Sequence, residues 1–104
     1  MNLKEMFDAI NALNVDEYGC FNIEPGHAIV YRYFTRTGFD VIDAPSDGEY
    51  KEYYRVLNSG THVECIPIRR GDAIFEDAMK YNLTDDVMKL PWRIVHMLRD
   101  VGIL

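Results

Sequence analysis

Apolar side chains recur at helical spacing near both ends of the chain and alternate with polar ones through its middle. Leu3, Met6, Phe7, Ile10 and Leu13 share one helical face, which predicts an amphipathic helix over residues 2–13. Asn2 and Glu5 sit three apart as a capping box, and Lys4, Asp8 and Asn11 take the wet side. Residues 14–25 read as connection, with turn signals at Gly19 and Pro25-Gly26 and a short edge strand around Cys20, Phe21, Asn22 and Ile23. Residues 26–44 then carry two β-rich runs, GHAIVYRYF and FDVIDA, about the turn TRTG. They predict a hairpin, with Gly38 supplying a positive φ. Both faces of its first strand carry apolar mass, which predicts a strand covered on both sides.

The pattern is ambiguous after that. Pro45 to Gly48 form a turn, and Tyr50, Tyr53, Tyr54 and Leu57 fit the template i, i+3, i+4, i+7. With Ser46 and Glu49 as a capping box and Asn58-Ser59-Gly60 as a stop, a helix over residues 49–57 is the first reading. Its rival is a tyrosine-rich strand paired with residues 61–68 through the Asn-Ser-Gly turn. In residues 61–68 His62, Glu64 and Ile66 alternate with Val63, Cys65 and Pro67, and Pro67 predicts a strand end or an edge. Asp72 reads as the cap of a helix reaching Tyr81, with Ile74, Phe75, Ala78 and Met79 inward. A last helical segment starts at Thr84-Asp85-Asp86 and is divided by Pro91. Its second part runs from Trp92 to Val101, with Trp92, Val95, Met97 and Leu98 inward and Gly102 as the stop.

These elements predict one α+β domain over residues 1–104. It is a mainly antiparallel sheet of three to four strands flanked by an N-terminal helix and C-terminal helices. The alternative is a small α/β fold with a β-α-β unit at residues 39–68. A chain of 104 residues with 48% hydrophobic content supports one core without metal or disulfides. The two cysteines, Cys20 and Cys65, form neither a disulfide framework nor a CxxC pair and read as buried thiols. No basic n-region precedes an apolar run, and no stretch nears the ~18 apolar residues of a membrane span. The chain is therefore expected in the cytoplasm.

Charge narrows the partners. The net charge of −6 argues against direct binding to nucleic-acid phosphates or anionic membranes, and favours a protein partner with a basic surface. One acidic cluster comprises Asp40, Asp43, Asp47, Glu49 and Glu52; another comprises Asp72, Glu76, Asp77, Asp85 and Asp86. A charged face can imitate nucleic-acid phosphates and speed encounter with a basic groove. Helix-start chemistry and solvation explain the same residues without any partner. Seven tyrosines are many for this length, and Tyr50, Tyr53 and Tyr54 crowd the acidic stretch. Tyrosine serves interfaces well, and it also rims small cores.

No cofactor loop, metal-ligand pattern or nucleophile signature stands out, so no cofactor, metal or catalytic residue is assigned. His62 and Glu64 share a strand face and offer two ligands or a proton relay, whereas Cys65 points the other way. The loop Arg69-Arg70-Gly71-Asp72 has too few glycines for a phosphate loop. Glu49-Tyr50-Lys51 after Asp43 is cramped for a nuclease carboxylate–lysine group. A helix-turn-helix using Arg93 and Arg99 is opposed by Asp85 and Asp86 in the preceding turn. The expected function is a small acidic protein-binding module acting by contact. By analogy it fits an inhibitor of a nucleic-acid-associated or defence complex, of phage or mobile-element type. Its contact residues are Asp40, Asp43, Asp47, Glu49, Glu52, Tyr50, Tyr53 and Tyr54. The alternatives are a self-associating structural or accessory protein, and a small enzyme using His62, Glu64 or Cys65.

Overall fold

The computed structural model describes residues 1–13, 20–22, 28–32, 38–43 and 52–104. Helix α1 spans Leu3–Ala12. Five strands follow in antiparallel sequence order: β1 (Cys20–Asn22), β2 (Ala28–Arg32), β3 (Gly38–Asp43), β4 (Glu52–Asn58) and β5 (Val63–Arg69). The outer edge of β5 pairs with two short strands, β6 (Asp72–Ala73) and β7 (Met79–Tyr81). Helix α2 (Trp92–Asp100) closes the fold. This is the expected α+β class, with a helix at each end of an open antiparallel sheet.

The capping box forms as the sequence predicts. Asn2 Oδ1 accepts from the Glu5 amide at 2.9 Å, and Glu5 Oε1 accepts from the Asn2 amide at 3.1 Å. Two further first-turn amides donate across the fold, Leu3 to the Asp85 carbonyl and Lys4 to the Leu83 carbonyl. The helix start is thus satisfied and tied to the C-terminal half at once. Its buried stripe is Leu3, Met6, Phe7 and Ile10. These side chains join Phe39, Val41, Val56, Val63 and Cys65 from one sheet face and Ile94, Val95, Met97 and Leu98 from α2 in one core.

Several expectations are corrected. Residues 52–58 are strand, not helix, so the β-α-β alternative falls: β3, β4 and β5 form an antiparallel meander. Over eight residues both periods fit, and the aromatic and β-branched content of the run suits a strand with a neighbour on each edge. Residues 72–81 are not helical either. Arg70 (φ 53°) and Gly71 (φ 83°) make a tight hairpin turn with both central residues at positive φ. The chain then runs through a 3₁₀ turn at Phe75–Asp77 and returns as β7. The open edge of β5 needs backbone partners, and β6 and β7 supply them. Phe75, expected inward, is exposed. So is Trp92, which starts α2 on the face opposite Ile94.

Pro67 does not end β5. Its carbonyl accepts from the Ile74 amide at 2.9 Å, on the outer edge. A residue's N–H and C=O point to the same edge, so the missing donor falls between the β6 and β7 pairings and the β4 ladder loses nothing. Gly38 likewise has a different role from the one expected. Its φ is not positive; instead, a Cβ there would lie 2.8 Å from the Val56 carbonyl oxygen and 2.7 Å from Leu57 Cδ2. Gly38→Ala is expected to destabilise the domain by about 1–3 kcal/mol, read by urea unfolding. A loss under about 0.5 kcal/mol would contradict the close approach of β3 to β4.

Gly102 ends α2 at φ 83°. Its amide donates to the Arg99 carbonyl at 3.1 Å, and the Ile103 amide to the Leu98 carbonyl at 2.9 Å. This pair of bonds is a Schellman stop, and it confirms the predicted terminator.

Candidate functional site

The acidic and tyrosine residues singled out by the sequence are divided by the fold. Asp40 lies on the sheet face opposite the helices, at 9% exposure. Its β4 partner in the register is Arg55. Arg55 donates from Nε to Oδ1 at 3.0 Å and from Nη2 to Oδ2 at 3.3 Å, a two-pronged charge-assisted pair. Asp40 is thus neutralised within the sheet rather than presented on an acidic face. Ile66 and Ile68, also buried, occupy the same sheet face. Asp43 and Glu52 are the last register pair of β3 and β4. Tyr53 pairs with Ile42 and Ile68 in the register, and Tyr54 is half-buried against the core. Asp47, Glu49 and Tyr50 lie outside the described residues.

The second acidic cluster is divided between bonded and exposed side chains. Asp72 stands opposite Arg69 in the β5–β6 backbone register, Glu76 and Asp77 sit in the 3₁₀ turn, and all three are exposed. Asp85 accepts from the Asn82 amide at 2.8 Å and from Lys89 Nζ at 3.1 Å. The Asn82 amide first, and Lys89 second, hold its carboxyl below the usual range. Asp86 caps the 3₁₀ turn at Val87–Lys89 through the Met88 amide and lies 3.8 Å from the N-terminal amine. That turn is three residues long, so α2 is not preceded by the first helix of a helix-turn-helix.

The β4–β5 turn gathers a second group. Gly60 takes φ 94° at the first central position, and the Ser59 amide donates to the His62 carbonyl at 3.0 Å. His62 Nε2 lies 3.0 Å from Glu64 Oε1, so the two residues that share a strand face do meet. His62 Nδ1 lies 3.0 Å from Ser59 Oγ and 3.1 Å from Thr61 Oγ1. Ser59 and Thr61 escaped the sequence reading, although their hydroxyls flank the histidine in Ser-Gly-Thr-His. Among the described residues no set of three His, Cys, Asp or Glu is placed to hold a metal ion.

Cys65 does not join this group. It is fully buried in the core on the other sheet face, and burial pushes its thiol up to about 12. Below the unfolded value of 9.0 the thiol is neutral in both states and stability is unaffected. Between that value and about 12 only the unfolded chain ionises, so stability falls as pH rises. The slope approaches about 1.4 kcal/mol per pH unit at its steepest. Urea unfolding at pH 8 to 11 is expected to show this loss relative to Cys65→Ala. Parallel curves for the two proteins would contradict it.

The helices and open antiparallel sheet define a small α+β domain. Comparison with protein-family models, curated proteins and solved structures returned no match. Among the described residues no helix is long and apolar enough to cross a membrane.

Proposed function

We propose that this chain is a protein-binding module that acts by contact, with the acidic end of the β3–β4 pair turned to a basic partner. The observation that carries the reading is the register of Asp43 opposite Glu52. Like charges placed opposite each other on neighbouring strands are unfavourable. Three residues inward the same ladder matches Asp40 with Arg55. Residues 43–52 hold four acids, Asp43, Asp47, Glu49 and Glu52, against Lys51 alone. A cationic partner relieves that repulsion and is steered by it. Tyr50, Tyr53 and Tyr54 would add contact area beside the charge. An inhibitor that occupies a basic groove of a nucleic-acid-associated or defence complex, of phage or mobile-element type, is the specific form this reading takes.

A second contact is available at α2. Trp92 is 70% exposed and Met88 is 58% exposed, and the Trp92 ring meets His96 edge-on with centroids 5.2 Å apart. Exposed tryptophan is a common interface anchor. If it serves self-association, the protein is an oligomer; a monomeric solution mass at high micromolar concentration would remove that reading.

The test is capture from bacterial lysate at low and high salt, followed by affinity measurement with the purified partner. A basic partner held at low salt, released by salt and lost by Asp43→Lys/Asp47→Lys/Glu49→Lys is the expected result. Unchanged affinity in that triple variant would remove the acidic contact. Trp92 is the only tryptophan, so its emission reports whether α2 is also covered in the complex.

A further inference from the structure

We propose that Ser59 is an activated nucleophile that accepts acyl groups from small activated esters, with His62 as its base and Glu64 as the residue that positions the imidazole. The contact function above does not use these residues. A carboxylate only accepts hydrogen bonds, so the His62 Nε2 facing Glu64 Oε1 at 3.0 Å carries the proton. In the neutral ring Nδ1 is then the acceptor. That nitrogen lies 3.0 Å from Ser59 Oγ, within reach for general-base transfer. Nucleophile, base and orienting acid thus follow one another at hydrogen-bond distance, the arrangement that activates serine on unrelated folds.

Two features select Ser59 over Thr61, whose Oγ1 also approaches Nδ1 at 3.1 Å. Ser59 Oγ accepts from the His62 amide at 3.3 Å, a contact that holds it against the ring, 3.0 Å from Nδ1. Serine is also the less hindered alcohol. The Ser59 proton has a competing acceptor in the His62 carbonyl at 3.0 Å, and rotation of the hydroxyl chooses between them. Access is open. Ser59 is exposed, and among the described residues nothing lies within 4 Å of where a Cβ on Gly60 would sit. Glu64 and the net charge of −6 favour neutral or cationic esters over anionic ones.

In the step, Oγ adds to the ester carbonyl carbon and its proton passes to Nδ1. The bond to the leaving alcohol breaks, and the alcohol departs with the proton from Nδ1, or as the anion while Nδ1 releases that proton to solvent, so that Nδ1 is again free. Water then attacks the acyl-serine, giving a proton to Nδ1 and leaving the carboxylic acid, and the proton returns to Oγ.

The experiment incubates the full chain with p-nitrophenyl acetate, follows p-nitrophenolate and locates the adduct by peptide mass spectrometry. The acetyl group is expected on Ser59. Its formation is expected to fall about a hundredfold in His62→Ala. Added imidazole should restore acetylation in that variant, which a structural role for the ring would not produce. Glu64→Gln keeps an acceptor for Nε2–H and should lose less than Glu64→Ala. Acetylation confined to lysine amines, an adduct on Thr61, or Ser59 acetylation unchanged in His62→Ala would each overturn the proposal. Labelling of the unmutated protein by a fluorophosphonate gives the same answer without a variant: an adduct on Ser59 supports it, and none overturns it.

Discussion

Replacing Phe39 by alanine is expected to lower the unfolding free energy by about 3–5 kcal/mol. The ring is fully buried at the centre of the inner sheet face. It meets the Phe7 ring with centroids 5.8 Å apart and planes inclined by 59°, a tilted contact that fastens α1 to β3. Truncation removes the transfer energy of the ring and leaves a cavity between two elements that cannot both close on it. A domain of this size holds roughly 5–15 kcal/mol in total, so the variant sits near its limit. Urea unfolding should show a lower midpoint with the same slope. Phe39→Leu, which refills most of the volume, should cost much less. A loss below about 1 kcal/mol for the alanine variant would mean that the helices do not pack on this sheet face.

Breaking the pair between Asp40 and Arg55 is the second large effect. Arg55→Met keeps the aliphatic stem and leaves the Asp40 carboxylate, 13% exposed, without its guanidinium fork. The expected loss is about 1–3 kcal/mol, less than for a fully buried pair because the Arg55 side chain is 37% exposed. The double variant Asp40→Leu/Arg55→Met should recover much of the loss, since neither charge then needs solvation. Strict additivity of the two single variants would show that the side chains do not interact. The pair also bears on function. It ties Asp40 to Arg55, so Asp40 takes no part in the proposed acidic contact.

Much of the fold was legible because local chemistry and tertiary structure agree there. Asn2 and Glu5 announce α1, Gly102 announces the end of α2, and the β-branched and aromatic runs within residues 26–44 announce the pairing of β2 with β3. The candidate sites were less legible. His62 and Glu64 meet because strand period places them on one face, and this follows from sequence. Ser59 and Thr61 join them only through the turn at Gly60, whose geometry depends on β4 being a strand.

By itself the sequence determined the α+β class, the two terminal helices with their caps, the central hairpin and the acidic balance. Each of these depends on neighbours within a few residues or on composition alone. Tertiary structure decided that residues 52–58 and 72–81 extend the sheet, that Asp40 is spent on Arg55, and that Trp92 faces outward. A short run fits both periods, and its choice is made by backbone groups on an adjacent strand edge that exist only once the sheet has assembled.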